Sequence, residues 1–208
     1  MPPITSSNNV HWAALTHRPS PLLSECELTF LDRQPIDLER ANAQRQAYCA
    51  SLQAAGIQVQ ILATSLDLPD SAFVEDCAVI LDEAAMLTRP GSPSRRPEVE
   101  RLAALLAQIR PLRRLHSPAT LDGGDVLQIG KTLYAGLSTR TNPAGIAALA
   151  EIVLPYGYQV IPVPVSGSLH LKTACTAVDE VTLLVNPDWI DISCLSGLRY
   201  LPVPEDEP

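Results

Sequence analysis

Carboxylates, arginines and a histidine recur in this chain at the edges of apolar runs, and they do so in a set order. Phe73-Val74-Glu75-Asp76 places two adjacent acids after an aromatic residue, with Asp70 in the loop before them. Arg95-Arg96 follows a stretch rich in proline, glycine and serine, and Leu121-Asp122-Gly123-Gly124-Asp125 follows in turn. Ser138-Thr139-Arg140-Thr141-Asn142 and Ser168-Leu169-His170-Leu171-Lys172 complete the series. A glycine pair after a carboxylate lets the backbone turn tightly and pass close to a bound group, because neither residue has a Cβ. Histidine is the side chain whose charge changes near neutral pH, so its neighbours set what it can do. Acid, glycine turn, arginine and histidine on successive strand ends suit catalysis better than packing.

Each residue alone has a plainer explanation. Glu75 and Asp76 could be a strand-end pair with one member capping a turn, and structural acids often imitate sites. Arg95 and Arg140 could be solvated, His170 could be a satisfied core histidine, and Asp122-Gly123-Gly124-Asp125 could be a hairpin turn. That turn also lacks the Lys-Ser/Thr of a phosphate loop. Only the set as a whole points to chemistry.

The elements that must position the set follow from the pattern. A strand is expected over 11–15 and a long loop over 22–36. Asp37 caps a helix with Leu38, Ala41, Tyr48, Leu52 and Ala55 near one face, ended by Gly56. A strand over 57–61 follows, then paired strands over 73–82 and 84–88. A helix starts at Pro97 with Val99, Leu102, Leu105, Leu106 and Ile109 on its apolar face, and a strand over 112–116 follows it. Strands over 125–129 and 132–137, a helix capped by Asn142, and strands over 158–163, 169–178, 181–185 and 198–203 complete the chain.

This order is a repeat. Strand, strand, helix, strand occurs over 73–116, again over 121–163, and starts once more at 169, with Asp76 and Asp125 49 residues apart. Periods of about 40–50 residues mark stacked or radial architectures. The fold class is therefore α/β, a radial repeat of ββαβ modules within one domain over 1–208, with about four modules, the first and last incomplete.

Composition narrows the function. A net charge of −8 with no Lys/Arg-rich run argues against nucleic acid and favours a cationic partner. No window approaches the ~18 consecutive apolar residues of a membrane span, and 1–6 lack a signal-peptide pattern. The five cysteines, Cys26, Cys49, Cys77, Cys175 and Cys194, have no metal-type spacing and suggest a reducing, cytoplasmic compartment without disulfides.

Taken together, these motifs and Thr88-Arg89-Pro90-Gly91-Ser92-Pro93-Ser94-Arg95-Arg96 resemble the dimethylarginine dimethylaminohydrolases. These belong to the guanidine-modifying (amidinotransferase) superfamily that includes arginine deiminases. The resemblance runs from about Ala13 to the end. It implies a five-module α/β propeller with a site in its central channel, and hydrolysis of Nω-methylated arginine to citrulline and a methylamine. By the same resemblance His170 is the general acid/base and Asp122 orients it. Glu75, Asp76 and Asp70 surround the substrate guanidinium and amino group, and Phe73 lines the pocket. Arg95 and Arg140 clamp the substrate α-carboxylate, and Leu28 belongs to a mobile lid. The chemistry fits: a planar cation needs fixed carboxylates, and a histidine can protonate the leaving amine and then activate water. No metal, nucleotide or organic cofactor is implied; the partner is a small cationic arginine-like substrate, and a homodimer stays open.

The departure is the nucleophile. The family uses a cysteine near its C-terminus to form a covalent intermediate. Cys194, in Ile192-Ser193-Cys194-Leu195-Ser196, precedes the final strand rather than lying in a closing module. The expectation is a truncated chain that lacks its nucleophile and does not turn over. The alternatives are an arginine deiminase or other arginine-derivative hydrolase, and an arginine-derivative binding pseudoenzyme.

Overall fold

The computed structural model describes residues 4–6, 9–11, 13–63 and 65–204. They fall into two units, Met1–Leu87 with Ser92–Leu112, and Thr88–Gly91 with Arg113–Pro208. No helix among the described residues is long and apolar enough to cross a membrane.

In the first unit β1 (Ile4–Ser6) and β2 (Asn9–His11) form an antiparallel pair. Strand β3 (Ala13–His17) runs parallel to β4 (Gln58–Leu62), and α1 (Leu38–Ala54) is the crossover between them. The Asp37 carboxylate accepts the Arg40 N–H at 3.0 Å, so the helix starts where a side chain satisfies an otherwise orphaned donor. Gly56, at φ +81°, turns the chain out of it. The covered stripe of α1 runs through Leu38, Ala41, Arg45, Cys49 and Leu52. Tyr48 and Ala55, expected on that face, are exposed instead, because the tilt of the stripe follows Cys49. The long 22–36 loop contains only the short 3-10 turn Leu23–Glu25.

Strands β5 (Ala78–Ile80) and β6 (Ala85–Leu87) are antiparallel, and with β7 (Leu112–Arg114) they form a sheet in the order β5-β6-β7. Between β6 and β7 lies α2 (Arg96–Leu106), with Pro97 in its first turn. Its Val99, Leu102 and Leu106 pack with Leu62, Cys77, Ala85 and Leu87. Ile109 falls beyond the helix and is exposed.

The second unit repeats the plan. Strands β8 (Val126–Ile129) and β9 (Thr132–Leu137) are antiparallel, α3 (Pro143–Val153) crosses over, and β10 (Gln159–Pro164) returns parallel to β9. The Asn142 side chain accepts the Gly145 N–H at 2.7 Å and caps α3. A one-turn helix α4 (Leu171–Ala174) then leads into β11 (Cys175–Ala177), β12 (Thr182–Val185) and β13 (Arg199–Pro202). In this third sheet the crossover is only the 3-10 turn Ile192–Leu195. The core joins Leu127, Tyr134, Val163, Leu171, Leu183 and Leu195.

One expectation needs correcting in all three modules. The acids and the histidine do not stand in strands. Glu75 and Asp76 lie in the 3-10 turn Val74–Cys77 and Asp125 in the turn Gly123–Asp125, while His170 is the residue that opens α4. Each first strand begins only after that turn. A buried turn is as apolar as a buried strand, so periodicity alone does not separate them. The shift has a consequence, since a turn before a strand presents side chains at the strand end.

Candidate functional site

In the second unit the turn before β8 carries Asp122, which has no solvent exposure. One of its oxygens, Oδ1, accepts the Gly91 N–H at 2.9 Å. The other, Oδ2, lies 3.1 Å from His170 Nε2, within hydrogen-bond reach of the imidazole as expected. The carboxylate is thus held by a backbone donor and aimed at a ring that can carry a proton. Gly91 is required at this point: a Cβ there would sit 2.4 Å from the Arg140 carbonyl oxygen and 2.6 Å from its Cα. Arg140 itself is buried, in the turn between β9 and α3, with its N–H donated to Ser138 Oγ at 3.0 Å.

The Asp122 N–H donates to Thr141 Oγ1 at 3.2 Å, and Thr141 Oγ1 donates to Asp125 Oδ2 at 2.6 Å. Ser138 Oγ donates to the same oxygen at 2.7 Å, and Asp125 Oδ1 accepts the Leu171 N–H at 2.9 Å. Burial pushes the Asp125 carboxyl above the ordinary carboxylate value, and the Thr141 and Ser138 hydroxyls and the His170 charge pull it back.

In the first unit the arrangement differs. Arg95 is buried, with Nη1 2.5 Å from Asp76 Oδ2 and Nη2 2.9 Å from Glu98 Oε2. Its Nη2 also donates to the Phe73 carbonyl at 3.1 Å, and its guanidinium stands 5.9 Å from the centre of the Phe73 ring. The guanidinium expected to grip a substrate is engaged here by two carboxylates of its own chain. Burial works against its charge, but Glu98 and Asp76 overcome that and hold the guanidinium charged. With two acids for one cation, Glu98 is left short: burial raises its pKa although Arg95 opposes the shift.

Asp70 is buried, and both its oxygens accept the Glu27 N–H, at 3.2 and 3.1 Å. That bond ties the turn before Phe73 to the start of the 22–36 loop. Glu75, Phe73 and Leu28 are exposed, Phe73 by half its surface. Within the first unit Asp70, Phe73, Asp76 and Arg95 therefore meet, while Glu75 and Leu28 are exposed. Within the second Asp122 and His170 meet, and the Arg140 backbone adjoins the Gly91 that holds Asp122.

Sequence reasoning missed Glu98, Ser138, Thr141 and the role of Asp125. Glu98 had a signal in its three-residue spacing from Arg95 on a helix start. The hydroxyls had none, since serine and threonine after a strand read as ordinary turn residues.

Comparison with known proteins shows the family and the fold. The family model for N,N dimethylarginine dimethylhydrolase, eukaryotic, matches residues 30–193. An N(G),N(G)-dimethylarginine dimethylaminohydrolase of Streptomyces coelicolor is 41% identical over 93% of this chain and 75% of its own length. The solved dimethylarginine dimethylaminohydrolase of Pseudomonas aeruginosa, a cysteine-to-serine mutant complexed with citrulline, is 28% identical. It covers 95% of this chain and 78% of its own at a TM-score of 0.86. A second such structure, an adduct with S-methyl-L-thiocitrulline, is 28% identical at a TM-score of 0.89, with the same two coverages. The fold class is theirs, the α/β propeller type built of ββαβ modules.

Proposed function

The chain belongs to the dimethylarginine dimethylaminohydrolase family, and from that premise we propose that its residues bind an Nω-methylated arginine and serve its hydrolysis to citrulline and a methylamine. The observation that carries the reading is the buried His170–Asp122 pair at 3.1 Å, with the second carboxylate oxygen fixed by Gly91. Asp122 holds Nε2, so the proton exchanged with substrate passes through the other ring nitrogen. In the forward direction His170 gives that proton to the departing amine. It then takes one from the water that replaces it, an assistance worth ~10²–10⁴-fold. Asp76 and Asp70 are assigned to the substrate's cationic groups, with Glu75 and Phe73 beside them. Arg140 is assigned to the α-carboxylate, with Arg95 as the second cation expected there and as the group that sets the direction of Asp76. Leu28 is assigned to a covering loop.

The attacking thiolate we assign to none of the five cysteines. Cys26, Cys49, Cys77 and Cys175 are buried. Burial pushes the Cys26 and Cys77 thiols up, and Cys175 up to about 11, away from the thiolate form that attacks. Cys194 packs against the core of the second unit and sits in the Ile192–Leu195 turn.

Calorimetric titration of the 208-residue protein with Nω,Nω-dimethyl-L-arginine, L-citrulline and L-lysine tests the substrate class. The first two should bind, and Arg140→Ala should weaken both by ~1.5–3 kcal/mol, the scale of a hydrogen bond to a charged group. L-lysine binding as tightly as dimethylarginine would reject a guanidinium-shaped site.

A further inference from the structure

The reaction as proposed makes no direct use of Asp125, yet this carboxylate has no solvent exposure and three donors converge on it. The protons can be assigned. Ser138 Oγ accepts the N–H groups of Arg140 and Thr141, at 3.0 and 3.2 Å, so its own proton goes to Asp125. Thr141 Oγ1 accepts the Asp122 N–H and likewise gives its proton to Asp125. The third donor is the Leu171 N–H, the peptide group that directly follows His170. All three partners donate, so the site is made for an acceptor without a proton. Strand β9 leaves room for it: a Cβ on Gly136 would lie 2.7 Å from Asp125 Oδ1 and 2.9 Å from Leu171 Cβ.

We propose that Asp125 is a positioning residue, one carboxylate that locks together the turn bearing His170, the turn bearing Arg140 and the backbone of Asp122. The roles of His170 and Arg140 rest on the function proposed above; the strut does not. Oδ1 is the arm toward His170, and Oδ2 is the arm toward Arg140 and Asp122. An amide cannot replace the carboxylate, because its NH2 group would face either the Leu171 N–H or the two hydroxyl protons.

The test reads both arms without ligand. The imidazole Cε1–H resonances of the four histidines are followed against pH in the labelled 208-residue protein, with His170 assigned by His170→Asn. Amide exchange is measured in parallel. Asp125→Asn should lower the His170 titration midpoint, because the nearby negative charge is gone and the ring is less well held. It should also speed exchange of the Arg140 amide, which Asp125 reaches only through Ser138. Gly136→Ala, which crowds Oδ1, should displace the His170 resonance and midpoint with less effect at Arg140. Ser138→Ala should free the Arg140 turn while the His170 midpoint stays. Asp125→Asn removes a charge as well as the strut, and Gly136→Ala, which keeps the charge, separates the two. A carboxylate felt by His170 only through its charge would leave the His170 resonance and midpoint of Gly136→Ala where they were. If Asp125→Asn does not fold, Gly136→Ala and Ser138→Ala read the two arms one at a time. A folded Asp125→Asn or Gly136→Ala whose His170 titration superimposes on the parent's overturns the proposal. So does a Ser138→Ala variant whose His170 midpoint shifts as far as that of Asp125→Asn. L-citrulline affinity, measured separately, tests the proposed function alone, so that function and the strut can fail independently.

Discussion

Each unit buries two carboxylates around one basic side chain, and the two arrangements do opposite things. In the first, Asp76 and Glu98 surround Arg95, a cation that never gives up its charge. In the second, Asp122 and Asp125 border His170, and their other partners are backbone N–H groups and hydroxyls. Neutral donors hold those acids in place without fixing the charge of the imidazole. The first cluster is built around a fixed cation, and the second around an imidazole. Buried acids therefore surround a fixed cation in one place and, on the proposed reading, an acid/base histidine in the other, and the difference lies in who donates.

The comparison breaks first at Arg95. Replacing it by methionine leaves Asp76 and Glu98 buried without their cation, and should cost ~3–5 kcal/mol of stability by urea denaturation. A loss under 1 kcal/mol would mean that the network is solvated and that the contrast with His170 is false. Asp122→Asn should cost less, ~1.5–3 kcal/mol, since one charged hydrogen bond is exchanged for a neutral one. It should lower the His170 titration midpoint as well, a change with no counterpart at Arg95.

These two clusters also show what could be read from the chain itself. The module order, the caps at Asp37 and Asn142 and the strands β8 and β9 were legible, because spacing, cap chemistry and alternation are local signals. The acids before β5 and β8 are legible as a group, but Glu75, Asp76 and Asp125 read as strand residues and stand in turns. Four apolar-flanked residues in a buried turn look the same as a strand edge until tertiary pairing decides. The contact of His170 with Asp122 spans 48 residues, and only the family resemblance implied it. Ser138, Thr141 and Glu98 stayed silent, since a hydrogen bond to a buried acid leaves no mark in local composition.

The cysteines sharpen the contrast at alkaline pH. The folded Cys175 thiol sits at about 11 against an ordinary 9.0, so its contribution to stability is complete below pH ~9 and lost as pH rises from about 9 to about 11. A shift of that size corresponds to at most ~2–3 kcal/mol. Cys175→Ala should flatten that alkaline limb in a pH series of urea melts. An unchanged limb in Cys175→Ala would assign the loss to other groups.

The smallest effect is expected at Arg101, whose exposed guanidinium pairs with Asp67 on the surface of the first unit. Arg101→Ala should leave the urea midpoint within error at moderate salt, because exposed pairs are screened. A shift as large as that of Arg95→Met would erase the distinction between buried and exposed pairs.

On the proposed reading these 208 residues hold the acid/base half of the hydrolase chemistry and not its thiolate. The direct measurement is citrulline release from Nω,Nω-dimethyl-L-arginine by the purified chain, with His170→Asn and Cys194→Ser measured beside it. The account predicts no citrulline above the His170→Asn background, because general acid/base assistance alone falls far short of the ~10⁶-fold or greater acceleration of an enzyme. Steady turnover that disappears in Cys194→Ser would contradict it and make Cys194 the nucleophile.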